Sequence, residues 1–106
     1  MIRIGVLGST NGTDLQTILD AIESKKLKSK LSVVVSNKKE AFILKRAEKH
    51  KVPYYYISHK NMNREIFDGE ITKVLKRYKV DLVLLIGFMR IFLIFLKVKR
   101  RKCLRI

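Results

Sequence analysis

The chain alternates between short apolar runs and segments whose apolar residues recur every three or four positions. The runs are typical of buried strands, and the segments are typical of helices packed on one face. The predicted strands are Arg3–Leu7, Leu31–Val35, Val52–Ile57 and Val80–Ile86, and the predicted helices are Asp14–Ser24, Glu40–His50 and one that begins after Asn61 or Asn63. No hairpin signal separates the strands. The order therefore predicts an α/β fold, a doubly wound (Rossmann-like) parallel sheet of about four strands with helices on both faces.

The loop between the first strand and the first helix is the best candidate for a ligand site. It reads Gly8-Ser9-Thr10-Asn11-Gly12-Thr13-Asp14. Its two glycines permit positive φ angles, and the free N–H groups at the start of the next helix attract anions. Thr13 and Gln16 match a capping box at that helix start. The loop predicts a phosphate site, and a glycine-containing turn that binds nothing is the alternative.

Length and composition restrict the class of protein. At 106 residues the chain is at most one domain, and one proline with 47% apolar residues predicts a folded chain of regular elements. Its single cysteine, Cys103, cannot form an internal disulfide, and no signal peptide pattern precedes Ile2. We therefore expect a cytoplasmic protein.

Positive charge is concentrated at the end of the chain. The net charge is +15, and the ten residues from Lys97 to Ile106 hold six cations and no acid. Such a run can bind nucleic acid or anionic lipid, so a polyanion-binding module that uses this tail is an alternative function. A solvated tail without a partner is the simpler interpretation, and the chain has none of the common nucleic-acid-binding motifs.

A membrane segment is a further alternative for the apolar run from Leu82 to Leu96. The run has 15 residues and contains Arg90. A membrane helix needs about 20 apolar residues, and a central arginine costs about 2.5–3.5 kcal/mol on insertion scales. We therefore predict no membrane partner.

Four stretches in the right order resemble phosphoribosylglycinamide formyltransferases. They are VLGSTNGTDLQ (6–16), VVVSNKKEAFILKRA (33–47), NREIFDGEI (63–71) and VDLVLLIGFMRI (80–91). The resemblance is close from Ile2 to Ile91. It implies formyl transfer from 10-formyltetrahydrofolate to the amine of glycinamide ribonucleotide in purine synthesis, without a metal.

The resemblance also implies roles for individual residues. Backbone amides of Asn11, Gly12, Thr13 and Asp14 would hold the ribonucleotide phosphate. The folate would lie against Arg64 and against the segment Met89, Arg90, Ile91 and Phe92, where Phe92 replaces the usual leucine. For Arg64 and Arg90, a cation that simply reaches solvent is the alternative interpretation.

The chain departs from the family where the chemistry takes place. A tetrahedral oxyanion needs preplaced donors and a route for the amine proton. The family supplies an asparagine, a histidine and an aspartate, whereas here Arg105 occupies the asparagine's place and the sequence stops at Ile106. We therefore assign no catalytic residue and expect a truncated, inactive or only substrate-binding chain. The two histidines, His50 and His59, are predicted to be structural or solvent-facing.

These observations divide the chain into residues 1–92, the N-terminal phosphate-binding half of a formyltransferase domain, and residues 93–106, a divergent basic tail. A sheet that stops after its fourth strand has an open edge and uncovered apolar residues. We therefore expect self-association through that edge. Glycinamide ribonucleotide is the predicted partner, and no specific nucleic acid is expected.

Overall fold

The computed structural model describes residues 2–9, 13–58, 60, 63–86 and 102–105. Strands and helices alternate up to the fourth strand, as the apolar pattern predicts. The elements are β1 (Ile2–Gly8), α1 (Thr13–Glu23), β2 (Ser29–Ser36), α2 (Phe42–Lys49), β3 (Tyr54–Tyr56), α3 (Arg64–Arg77), β4 (Leu82–Ile86) and β5 (Lys102–Arg105).

The strands form one parallel sheet in the order β3-β2-β1-β4-β5. Three crossover connections, each containing one helix, join the first four strands. The chain moves outward from β1 through β2 to β3 and then crosses back to place β4 on the other side of β1. The predicted doubly wound fold is confirmed.

Side chains on the two faces of the sheet form two separate cores. On one face, strand residues such as Val6 and Val34 pack with Leu15 of α1 and Ile43 of α2. On the other face, Leu7, Val35 and Leu85 pack with Phe67, Ile71 and Leu75 of α3. Successive residues of a strand point to opposite faces, so a continuous apolar run can fill both cores.

The three helices in the described part of the chain end in the same motif, with a lysine in the left-handed conformation. Lys25, Lys51 and Lys79 have φ values of 61°, 59° and 55°. After α3, Lys79 N–H donates to the Lys76 carbonyl and Val80 N–H donates to the Leu75 carbonyl, the bond pair of a Schellman motif. The same pair of bonds follows α1 and α2. Glycine is the usual residue at this position because it has no Cβ.

The last strand corrects the expectation of an open sheet edge at β4. Residues Lys102–Arg105 form β5 and pair with β4 in parallel, with Leu85 opposite Arg105. β4 therefore has a neighbouring strand on both sides. Backbone pairing does not depend on side-chain polarity, so a basic segment can still form a strand. Self-association of the chain stays a prediction.

Helices in the described ranges are all too short or too polar to cross a bilayer. The candidate membrane run begins with Leu82–Ile86, which is strand β4. Its remaining residues, 87–96, lie outside the described residues.

Candidate functional site at the carboxyl end of the sheet

The strand order places a crevice between β1 and β4. Gly8, the last residue of β1, is paired with Ile86, the last residue of β4. The chain leaves β1 towards β2, whereas β4 has β5 as its other neighbour. Ligands of doubly wound sheets bind at such a point, because the loops leaving the two strands diverge there.

The start of α1 lies at this end of the sheet. The helix begins at Thr13, five residues after β1 ends at Gly8. Its first N–H groups have no partner within the helix, and its dipole adds partial positive charge there. Thr13 and Asp14 are the first two residues of the helix, while Asn11 and Gly12 lie outside the described residues.

Gly8 is required for close packing and not for a left-handed backbone. A Cβ at this position would lie 2.4 Å from Ile43 Cδ1 and 3.0 Å from the Ile86 carbonyl oxygen. Its φ is outside the positive range, so the expectation of positive φ is wrong for Gly8. The missing side chain lets α2 and β4 approach the end of β1.

The loops that follow β1 and β2 are tied together by a side-chain hydrogen bond. Ser9 Oγ donates to Asn37 Oδ1 at 2.5 Å. The loop after β2 is itself held by Ser36, a buried residue whose Oγ accepts the Lys38 backbone N–H at 3.1 Å. The Ser36 carbonyl oxygen also accepts the Ile57 N–H. These bonds fix the base of the predicted phosphate loop to two neighbouring strands.

The structure confirms the helix start that the Thr13 and Gln16 spacing predicts. The helix begins within one residue of the predicted position. The Gln16 side chain also bonds elsewhere: its Oε1 accepts from Arg46 Nη1 at 3.1 Å, and its Nε2 donates to Asp20 Oδ1 at 3.0 Å. Gln16 therefore joins α1 to α2, because the two helices pack on the same face of the sheet.

The start of α3 reaches the same end of the sheet from the opposite face. Asn63 caps this helix, with its Oδ1 accepting the Ile66 N–H at 2.8 Å, which confirms one of the two predicted caps. Arg64 is the first helical residue. The other predicted folate residues, 89–92, lie outside the described residues and follow β4 by three to six positions.

One buried acid in this region was not singled out from the sequence. Asp68 lies on the second turn of α3, and only 2% of its surface is exposed. Acids are rarely buried to this extent. Asp68 lies between the core residues Phe67 and Ile71 in the sequence. Its burial can be recognised only when the face of α3 that packs on the sheet is known.

His50 and a tyrosine pair are titratable groups elsewhere in the fold. His50 ends α2 as predicted, with Nδ1 3.0 Å from Glu23 Oε1 and Nε2 3.2 Å from Gln16 Nε2.

The Tyr55 and Tyr78 hydroxyls are 2.7 Å apart. The hydrogen bond from Tyr78, together with Arg77, lowers the pKa of Tyr55, and the bond to Tyr55 raises the pKa of Tyr78. His59 lies outside the described residues.

Within the described ranges, no three His, Cys, Asp or Glu side chains come close enough together to hold a metal ion. The features at the carboxyl end of the sheet are instead backbone amides, a helix start and polar loop side chains. Such groups suit an anion better than a cation.

The family model for formyl transferases matches residues 2–106. The phosphoribosylglycinamide formyltransferase of Haemophilus influenzae is 39% identical over 92 residues, which cover 86% of this chain and 43% of the relative. That of Escherichia coli is 40% identical over 91 residues, which cover 85% of this chain and 43% of the relative. The chain thus spans less than half the length of these curated relatives.

Solved structures agree with the sequence comparison. Glycinamide ribonucleotide transformylase 1 from Symbiobacterium toebii superposes with a TM-score of 0.86 at 34% identity, over 96% of this chain and 50% of that one. The family match over nearly the whole sequence and this shared fold lead to one conclusion: the chain belongs to the formyl transferase family.

Proposed function

We propose that this chain carries the ribonucleotide-binding half of a phosphoribosylglycinamide formyltransferase. The reaction transfers a formyl group from 10-formyltetrahydrofolate to the amine of glycinamide ribonucleotide. The observation that carries the proposal is the start of α1 at Thr13, five residues beyond the end of β1 and beside the crevice between β1 and β4. Relatives named for this activity are 39% and 40% identical to this chain over 92 and 91 residues.

The proposed phosphate ligands are the backbone amides of Asn11, Gly12, Thr13 and Asp14. A phosphate dianion accepts hydrogen bonds from free N–H groups and is favoured by the helix dipole. The bond between Ser9 and Asn37 supports this role, because it holds the base of the loop in place before the ligand arrives. A preorganised loop loses less entropy when it binds.

The proposed folate contacts are Arg64 and the segment Met89, Arg90, Ile91 and Phe92. Arg64 begins α3 at the carboxyl end of the sheet, and the segment follows β4 in the sequence. A folate there would adjoin a ribonucleotide at α1, which is what direct transfer between the two requires. The arginines would meet the carboxylates of the folate tail.

A single substitution can test the phosphate site with little disturbance of the fold. Thr13→Pro removes one N–H from the first helical position, where proline is well tolerated. Titration of the full chain with glycinamide ribonucleotide, followed by calorimetry, should show binding that Thr13→Pro weakens by about 10-fold or more, since a hydrogen bond to a charged group contributes about 1.5–3 kcal/mol.

The matched control is Phe42→Pro, which removes the equivalent N–H from the first position of α2. This variant should bind the ribonucleotide as the parent does. Circular dichroism of each protein establishes that it is folded. A folded parent that gives no heat, or a folded Thr13→Pro variant that keeps the parental affinity, would contradict the proposal.

We further propose that this chain binds the ribonucleotide but transfers the formyl group slowly. Arg105, at the end of β5 and paired with Leu85, stands where the resemblance expects an asparagine that stabilises the oxyanion. A formyl transfer assay with the chain alone should therefore show little turnover under conditions in which calorimetry detects binding.

A further inference from the structure

A group of cations lies at the amino end of the sheet, opposite the candidate functional site. A cavity of about 500 Å³ opens there, and the basic residues that line it are Arg3, Lys30, Lys51, Arg77 and Lys79. They come from four separate segments of the chain, since Arg77 and Lys79 both belong to the end of α3. They converge because strands β1 and β2 begin at this end and helices α2 and α3 finish at it. None of the residues lining the cavity is acidic.

A buried hydroxyl without a partner lies in the wall of this cavity. Ser32 is 5% exposed, and within the described part of the chain its Oγ makes no hydrogen bond. The residue is the extra one in a β-bulge, since Ile4 pairs with Leu31 and Gly5 pairs with Val33. A buried hydroxyl without a hydrogen bond is destabilising, so this group favours a ligand that can accept its proton.

The strand pairing explains why the cavity exists. Strand β3 first pairs with β2 at Val34, where the Val34 N–H donates to the Pro53 carbonyl at 3.0 Å. The preceding residues of β2, including Lys30 and Ser32, therefore have no β3 residue beside them. The space left by the short third strand is the space that the cations surround.

The helix ends at the cavity do not cancel its positive charge. The carboxyl ends of α2 and α3 carry partial negative charge. However, carbonyls there already accept the Schellman hydrogen bonds of residues 51, 52, 79 and 80. The nearby Asp81 accepts the Arg3 backbone N–H at 3.0 Å, and its single charge is outnumbered by the five cations. An anion would relieve the remaining repulsion.

We propose that this amino-end cavity binds a compact polyphosphate anion, such as a di- or triphosphate group. Five cations match a highly charged ligand, and the buried Ser32 hydroxyl would donate to it after a rotation of the Ser32 side chain. The cavity is concave and small, which suits a free polyphosphate rather than the backbone of a nucleic acid. This site lies at the opposite end of the sheet from the phosphate loop, so it does not depend on the proposed transferase function.

The test is calorimetric titration of the full chain with sodium tripolyphosphate at low and at moderate ionic strength. With glycinamide ribonucleotide present to occupy the phosphate loop, we expect one tripolyphosphate ion bound per chain, with an affinity that falls as salt rises. Lys79→Gln should weaken binding by about 10-fold, because it removes a charged hydrogen-bond donor. Ser32→Ala should weaken binding by about 3-fold, because it removes a neutral donor.

Lys76→Gln is the matched control, because it removes the same charge from an exposed position of α3 outside the cavity. It should change the affinity by less than about 2-fold. Circular dichroism establishes folding, and Arg77→Gln replaces Ser32→Ala as the second variant if the latter does not fold.

Three results would overturn the proposal. One is the absence of tripolyphosphate binding to a folded parent. Another is equal weakening by Lys76→Gln and Lys79→Gln, which would indicate attraction to net charge alone. The third is binding of a single-stranded oligonucleotide in preference to tripolyphosphate that is lost when Lys97, Lys99 and Arg100 are each changed to Gln, which leaves strand β5 intact. Saturating glycinamide ribonucleotide should leave tripolyphosphate binding at the cavity unchanged, which separates this site from the ribonucleotide site.

Discussion

Replacing Lys25 with glycine should stabilise the protein. Lys25 follows α1 with a φ of 61° in a Schellman motif, and its side chain is exposed. The left-handed conformation costs an L-residue about 1–2 kcal/mol, and glycine avoids this cost. Glycine also gives the unfolded chain more freedom, which offsets about 0.4–1 kcal/mol of the gain. The free energy of unfolding should therefore rise by about 0.8 kcal/mol.

Urea unfolding, followed by circular dichroism, measures this change. The midpoint should move to higher urea with an unchanged slope, and the melting temperature should rise by about 3–6 °C. Lys25→Ala is the control, because it removes the amine but keeps Cβ, and it should stay within about 0.5 kcal/mol of the parent. If Lys25→Gly is no more stable than the parent while Lys25→Ala matches it, the strain argument is refuted.

Two further predictions concern the core and the helix contacts. Gly8→Ala should lower the free energy of unfolding by about 1–3 kcal/mol, because the new Cβ would overlap Ile43 Cδ1 and press on a backbone carbonyl. Gly69→Ala is its control, because a Cβ there meets nothing within 4 Å. Alanine at this helical site should raise the free energy of unfolding by about 0.5–1 kcal/mol. Urea unfolding measures both variants, and equal changes in the two would contradict the packing argument. Neutral His50 should carry its proton on Nδ1, because the Gln16 amide nitrogen faces its Nε2. Long-range ¹H–¹⁵N NMR reports the tautomer, and a proton on Nε2 would contradict a hydrogen bond donated by Gln16.

The candidate ribonucleotide site was open to prediction from the sequence because its parts are local. A glycine-containing loop between an apolar run and an amphipathic segment indicates a strand, a turn and a helix start without knowledge of the rest of the fold. Gln16 shows the limit of such reasoning. Its spacing from Thr13 suits a capping box, yet its side chain bonds to Arg46, a residue 30 positions away. A local pattern cannot weigh a competing partner that only folding brings near.

The glycine and lysine positions were less predictable for a related reason. Gly8 looked like a residue for a positive φ angle, and its actual requirement is the approach of Ile43 and Ile86. A glycine after a helix indicates where the helix ends, and here lysines occupy those left-handed positions, so the sequence does not indicate the helix ends. In both cases the residue type alone does not reveal which physical constraint acts on it.

The order of strands and helices was determined by the sequence itself, because the spacing of apolar residues depends only on which face each element buries. The order of strands within the sheet, the pairing of the basic segment 102–105 with β4 and the unpaired Ser32 hydroxyl were decided by the tertiary structure. The cations of the amino-end cavity belong to this second group. They are up to 76 residues apart, from Arg3 to Lys79, and only the common direction of parallel strands brings them together.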